Sequence, residues 1–278
     1  MEIFALLPPW YLPVVAFLLG VIIGSFLNVF IYRFHTGVSL SGHSHCLSCG
    51  NDLRWYELFP LFSYIVLRGR CRTCSSYIPI RYFMVELLTG ILFLLVVLQG
   101  LGVFPTLLFL TVVAILVVIA VYDLAHFIIP DELVLALTVL AFLAQGYGLF
   151  TTQISPQIFF YNFIVALLGS LFLFALWWQS KGKWIGFGDV KLAFPLGLLL
   201  GYTGVFSMHV LSFWVGAAVG LVLLFLSTKR LRGQPLLRFF SPGLTMKSAV
   251  PFAPFMIIGF LLVALLGVDV VALLTYVW

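Results

Sequence analysis

Apolar runs of about twenty residues, separated by short polar breaks, fill almost the whole chain. They fall at roughly 10–32, 83–100, 103–122, 131–150, 157–178, 190–207, 208–227 and 251–275. Each is about long enough to cross a bilayer core of roughly 30 Å as a helix. None shows the strict two-residue alternation of an outer-membrane barrel strand. The pattern predicts an all-α polytopic membrane protein of about eight transmembrane helices. The shallowest break, at Gly201–Gly204, separates the sixth span from the seventh. One long polar stretch, 33–82, interrupts the series. The expected organisation is a first transmembrane helix (1–32), a loop domain (33–82) and a membrane-embedded core (83–278).

Composition agrees. Of 278 residues, 63% are hydrophobic and 8% charged, against about 25% charged in soluble domains. That excludes a water-soluble enzyme, a disordered chain and a disulfide-rich secreted module. A net charge of +5 is too modest to imply nucleic acid. The placement of the charges says more. With the N-terminus outside, the inside segments are 33–82, 123–130, 179–191 and 228–250. They hold Arg33, Arg54, Arg68, Arg70, Arg72, Arg81, Lys181, Lys183, Lys191, Lys229, Arg230, Arg232, Arg238 and Lys247, which is all 14 basic residues. Eight spans then return the C-terminus to the outside. The N-terminus lacks the basic region and small-residue cleavage site of a signal peptide, so the first span reads as a permanent anchor. Its Gly20 and Gly24 are either ordinary membrane glycines or a helix-packing contact.

All four cysteines lie in the loop, as Cys46-x-x-Cys49 and Cys71-x-x-Cys74. Paired knuckles of equal spacing supply four thiolates to one tetrahedral zinc. The competing reading is two disulfides, disfavoured on the reducing side of a membrane. A loop of about 50 residues builds a poor core, so the metal is expected to hold it together. His43 and His45 read as solvated loop residues.

An ionisable residue in or beside a span is a functional candidate. Asp269 reads as an interfacial acid, and Asp131 and Glu132 as acids favouring the start of a helix. Glu86, one turn into the second span, is placed to pair with Arg81 or Arg33 and hold the loop. His126 reads as structural. Asp123 closes the third span and Asp189 opens the sixth, within Gly186-Phe187-Gly188-Asp189. The charge-derived topology puts both at the inner face. Either alone reads equally as a helix cap or a solvated end. Together they offer two carboxylates that share a proton, activate water and protonate a leaving amine, which is aspartic-protease chemistry. Gly186 and Gly188 let backbone approach closely.

The sequence resembles the type IV prepilin peptidases, bifunctional leader peptidase/N-methyltransferases of pilus and type II secretion systems. The resemblance rests on Gly24-Ser25-Phe26-Leu27-Asn28-Val29 through Tyr32-Arg33, on the paired cysteines with Gly69-Arg70-Cys71-Arg72, and on Arg81-Tyr82 and Glu86. It continues through Asp123, Ile129-Pro130-Asp131, Gly186 to Leu192, and Pro251-Phe252-Ala253-Pro254-Phe255. It implies that Asp123 and Asp189 are the catalytic pair. It also implies prepilin and pseudopilin substrates, cleavage after a glycine at the cytoplasmic face of the bacterial inner membrane, and methylation of the new N-terminus from S-adenosylmethionine. Phe83 stands where the family commonly has proline. No residue pattern points to the cofactor-binding residues. Two other classes compete. A presenilin-like intramembrane protease shares the GxGD element but has a PAL element, where this chain has Pro254-Phe255. A proton- or ion-coupled transporter would carry mid-span charges and an internal repeat, neither of which is evident here.

Overall fold

The structure, a computed structural model, describes residues 8–36, 39, 42–226 and 250–276. Lys229, Arg230, Arg232, Arg238 and Lys247, and with them most of the expected inside segment 228–250, lie outside the described residues, as do the first seven. The helices are α1 (Tyr11–Arg33), α2 (Phe62–Val66), α3 (Arg81–Leu98), α4 (Val103–His126), α5 (Asp131–Phe150), α6 (Pro156–Ser180), α7 (Phe187–Leu226), α8 (Ala253–Leu266) and α9 (Val270–Tyr276). Six of them, α1 and α3 to α7, are long and apolar enough to cross a membrane. The chain divides into two compact units, Met1–Val118 and Ile119–Trp278.

In the first unit α1 lies against α3 at backbone distance. A Cβ on Gly20 would sit 2.7 Å from the Thr89 carbonyl oxygen, and one on Gly24 would sit 2.8 Å from the Glu86 Cα. These two glycines are therefore a packing contact of the small-residue kind. Asn28 on α1 donates to the Tyr82 carbonyl oxygen (3.0 Å). Residues 42–80 form a compact loop on two short bridges, His45 with Asp52 and Arg70 with Tyr77. Glu86 accepts the Leu61 amide at 2.8 Å, so it anchors the loop through loop backbone.

In the second unit the sixth and seventh spans run together as α7, 40 residues interrupted at Gly201, within the stretch where the sequence places their break. A straight helix of that length would run about 60 Å, twice a bilayer core. It is not straight. A Cβ on Gly197 would meet Val205 Cγ2 at 3.3 Å, although a straight helix separates such positions by about 12 Å. Two consecutive α6 residues touch both halves. Ser170 donates to the Val190 carbonyl at 2.7 Å, and a Cβ on Gly169 would lie 2.9 Å from the His209 ring. The chain folds back at Gly201, whose φ of 72° and ψ of −179° belong to a region essentially restricted to glycine.

The reversal frees main-chain groups, and two amide side chains take them. Gln145 on α5 donates to the Leu198 carbonyl at 2.6 Å. Asn162 on α6 accepts from the Tyr202 amide at 2.9 Å and donates to the Gln145 Oε1 at 3.1 Å. Gln145, Asn162 and Leu198 are all buried, in surroundings where an unsatisfied backbone group is costly. The last expected span, 251–275, is divided between α8 and α9 by Gly267 at φ 63°. Asp269 caps α9, accepting from the Val271 amide (2.9 Å) and the Ser207 hydroxyl (3.0 Å).

Candidate active site

Asp189 is the third residue of α7, and its side chain turns back on the residue ahead of the helix. Asp189 Oδ2 accepts the Gly186 amide at 3.1 Å, while the Asp189 amide donates to the Gly186 carbonyl at 3.2 Å. This is the acidic half of a capping box, which fixes the carboxylate's direction. A Cβ on Gly186 would lie 3.3 Å from that same Oδ2, and one on Gly188 would lie 3.0 Å from the Ile129 Cβ. Both glycines thus permit close approach, the first to the carboxylate and the second to the α4–α5 connection.

Asp123 sits one turn before the end of α4. The Ala253 amide, at the start of α8, donates to it. The Pro251-Phe252-Ala253-Pro254-Phe255 stretch therefore contributes a main-chain donor, which no side-chain pattern announces. Asp123 and Asp189 are each only 5% exposed and lie within electrostatic range of each other. One oxygen on each, Asp123 Oδ2 and Asp189 Oδ1, is buried without a hydrogen-bond partner. Buried polar atoms are nearly always satisfied, so two such orphans on neighbouring acids mark a place built for something polar.

Other polar side chains tie together the elements that carry the pair. Lys191 forms an ion pair with Asp131, linking α7 to the start of α5. Sequence reading took Asp131 as a helix-start acid, which it also is, and missed this partner. The His126 ring lies 4.5 Å from that of Tyr122. Gln145 and Asn162, which hold the turn in α7, are not evident from charge; a polar residue inside an apolar run is the signal that marks them.

The cysteines form a second cluster, within the first unit. Their four sulfurs lie within 4.8 Å of one another, with Cys46 and Cys74 Sγ 3.8 Å apart. A tetrahedral metal with bonds of about 2.3 Å sets its sulfurs about 3.8 Å apart, so the cluster fits one metal ion. The two knuckles are copies of each other. The Cys46 amide donates to the Asn51 carbonyl and the Gly50 amide to the Cys46 carbonyl; the Cys71 amide donates to the Ser76 carbonyl and the Ser75 amide to the Cys71 carbonyl. The Cys49 and Ser48 amides pull Cys46 down to about 6. The Asn51 amide favours the Cys49 thiolate, but desolvation and the thiols of Cys46 and Cys74 outweigh it and push Cys49 up to about 11. Four thiolates at this range need a cation to coexist.

Comparison with known proteins agrees with the resemblance. Residues 18–100 match the bacterial peptidase A24 N-terminal domain, and residues 110–268 match the type IV leader peptidase family. Proteins named prepilin leader peptidase/N-methyltransferase are similar along most of the chain. The one from Myxococcus xanthus is 35% identical across 78% of this chain and 66% of its own length. Those from Burkholderia pseudomallei (31%) and Pseudomonas putida (28%) cover 92% and 97% of this chain, and 86% and 96% of their own lengths. No solved structure matches.

Proposed function

Because the chain belongs to the type IV leader peptidase family, we propose that it is a membrane aspartic endopeptidase. It removes the leader of prepilins or pseudopilins after a glycine, at the cytoplasmic face of the inner membrane, and then N-methylates the new N-terminus. The observation that carries this reading is the pair of buried acids, each with one oxygen committed to a backbone amide and one left open.

Two carboxylates confined at electrostatic range in a dry site hold one proton between them. The ionised member takes a proton from a water, which attacks the scissile carbonyl. The protonated member hydrogen-bonds the carbonyl oxygen. As the tetrahedral intermediate collapses, a proton passes to the leaving amine. The Gly186 and Ala253 amides hold the outer oxygens, so the inner ones keep their aim. Methyl transfer needs a donor, and S-adenosylmethionine would supply an activated methyl group.

The charge pattern supports an orientation with both termini outside and with Asp123 and Asp189 at the cytoplasmic side, where a prepilin helix leaves the membrane. The fold-back at Gly201 supports counting α7 as two passes, and with α8–α9 as the last this gives eight. The four cysteines would hold one Zn²⁺ in a loop domain spanning 33–82, a structural role in a segment with little apolar core.

Asp123→Asn and Asp189→Asn, each in purified, folded protein, are expected to abolish cleavage of a prepilin peptide, a loss of at least about a thousandfold. Mass spectrometry of the wild-type product should show the leader removed after glycine and the new N-terminus one methyl group heavier. Full cleavage by either variant would remove the dyad.

A further inference from the structure

A cavity of about 350 Å³ opens in the first unit between α1, the first turns of α3 and the cysteine loop. That volume lies in the range of small-molecule sites. Resting on the methyl transfer proposed above, we infer that this cavity binds the methyl donor S-adenosylmethionine, with Glu86 facing its positively charged sulfur.

The walls supply what such a ligand needs. Tyr32, Tyr64, Tyr82 and Phe83 line the cavity, with the Tyr64 and Phe83 rings 5.4 Å apart, and an aromatic lining suits both a purine and a sulfonium cation. Arg72 and Glu86 lie on the same wall set, so a ligand bearing a carboxylate and a cationic centre meets the opposite charge at each. Glu86 is 9% exposed. Its carboxylate takes the Leu61 amide at 2.8 Å and the Ser25 hydroxyl. A carboxylate has about four acceptor positions, so capacity remains for a third partner. Anchoring the loop needs only an acceptor, and a glutamine would serve. A carboxylate beside a membrane helix is expensive, and a cationic ligand in the cavity gives its charge a use. Asn28 is 4% exposed and holds the Tyr82 carbonyl at 3.0 Å, which fixes the backbone under two of the rings.

The test compares two ligands that differ in charge at sulfur, using the full-length, metal-loaded chain in nanodiscs. S-adenosylmethionine carries a sulfonium and S-adenosylhomocysteine a neutral thioether. Calorimetry should show Glu86→Gln weakening S-adenosylmethionine by about tenfold and leaving S-adenosylhomocysteine within about twofold of wild type. Val29→Trp fills the cavity from the α1 side without touching a charge, and should weaken both ligands by about tenfold or more. Retained metal and an unchanged melting temperature establish that each variant is folded, and if Glu86→Gln is not, Val29→Trp decides. Equal loss of both ligands in Glu86→Gln overturns the placement of the sulfonium. If wild type binds and methylates but neither variant changes affinity, the site is elsewhere and this inference alone fails. If wild type neither binds nor methylates, the methyl transfer reading fails with it.

Discussion

At the scale of single residues, the candidate active site depends on atoms that are missing as much as on those present. Gly186 is one such place. A methyl group there would sit 3.3 Å from Asp189 Oδ2, tight enough to make the carboxylate give way by a few tenths of an ångström. Small displacements of a reacting group are costly in rate. Gly186→Ala is therefore expected to lower the rate of prepilin cleavage by about tenfold to a hundredfold, with little change in melting temperature. An unchanged rate would show that the aim of Asp189 is set elsewhere. Asp123 and Asp189 were readable in the sequence because acids stand out against apolar spans. The Ala253 amide was not, since a main-chain donor has no letter of its own. Nor was the Lys191–Asp131 pair, because charges 60 residues apart declare no partner until the helices are placed.

Among the elements, α7 shows where a hydropathy reading stops. Its two halves are equally apolar, so the break between them was faint, and the decisive signal is a single glycine in a conformation closed to other residues. The polar groups released there are held by Gln145 and Asn162, which a reading confined to charged residues passes over. Asn162→Ala would orphan the Tyr202 amide and the Gln145 side chain. It is expected to cost about 1–2 kcal/mol, measurable as a lower midpoint of unfolding in mixed micelles. Gln145→Ala added to it should cost less than the sum of the two single changes, since both serve one network. Strict additivity would mean that the two amides act independently. At the start of α6, Ser155 ahead of Pro156 caps the helix, its hydroxyl accepting from the Ile158 amide at 3.3 Å, a favoured arrangement for a helix N-terminus.

For the molecule as a whole, the two units differ in what holds them. The second unit has packed helices throughout. The loop of the first has its cysteines, short bridges and a few apolar contacts, with Cys71 buried and Cys49 and Cys74 exposed. Stripping metal with a strong chelator should make the 42–80 loop sensitive to protease, and Cys46→Ser should do the same without chelator. A loop that stays resistant after its metal is shown to be gone would mean that the bridges and the Glu86–Leu61 bond suffice. The knuckles were legible because four cysteines at equal spacing leave few alternatives. The cavity beside them was not, as it is assembled from α1, α3 and the loop together.

The grip on α7 has an evolutionary corollary. Gln145 and Asn162 clasp main-chain atoms, so the clasp is blind to which side chains Leu198 and Tyr202 carry. Related chains should be free to exchange the exposed Tyr202 while retaining the amides, whereas Leu198 is kept apolar by its place in the core with Ala141 and Ala166; a survey of substitutions would find drift at the first and constancy at the others.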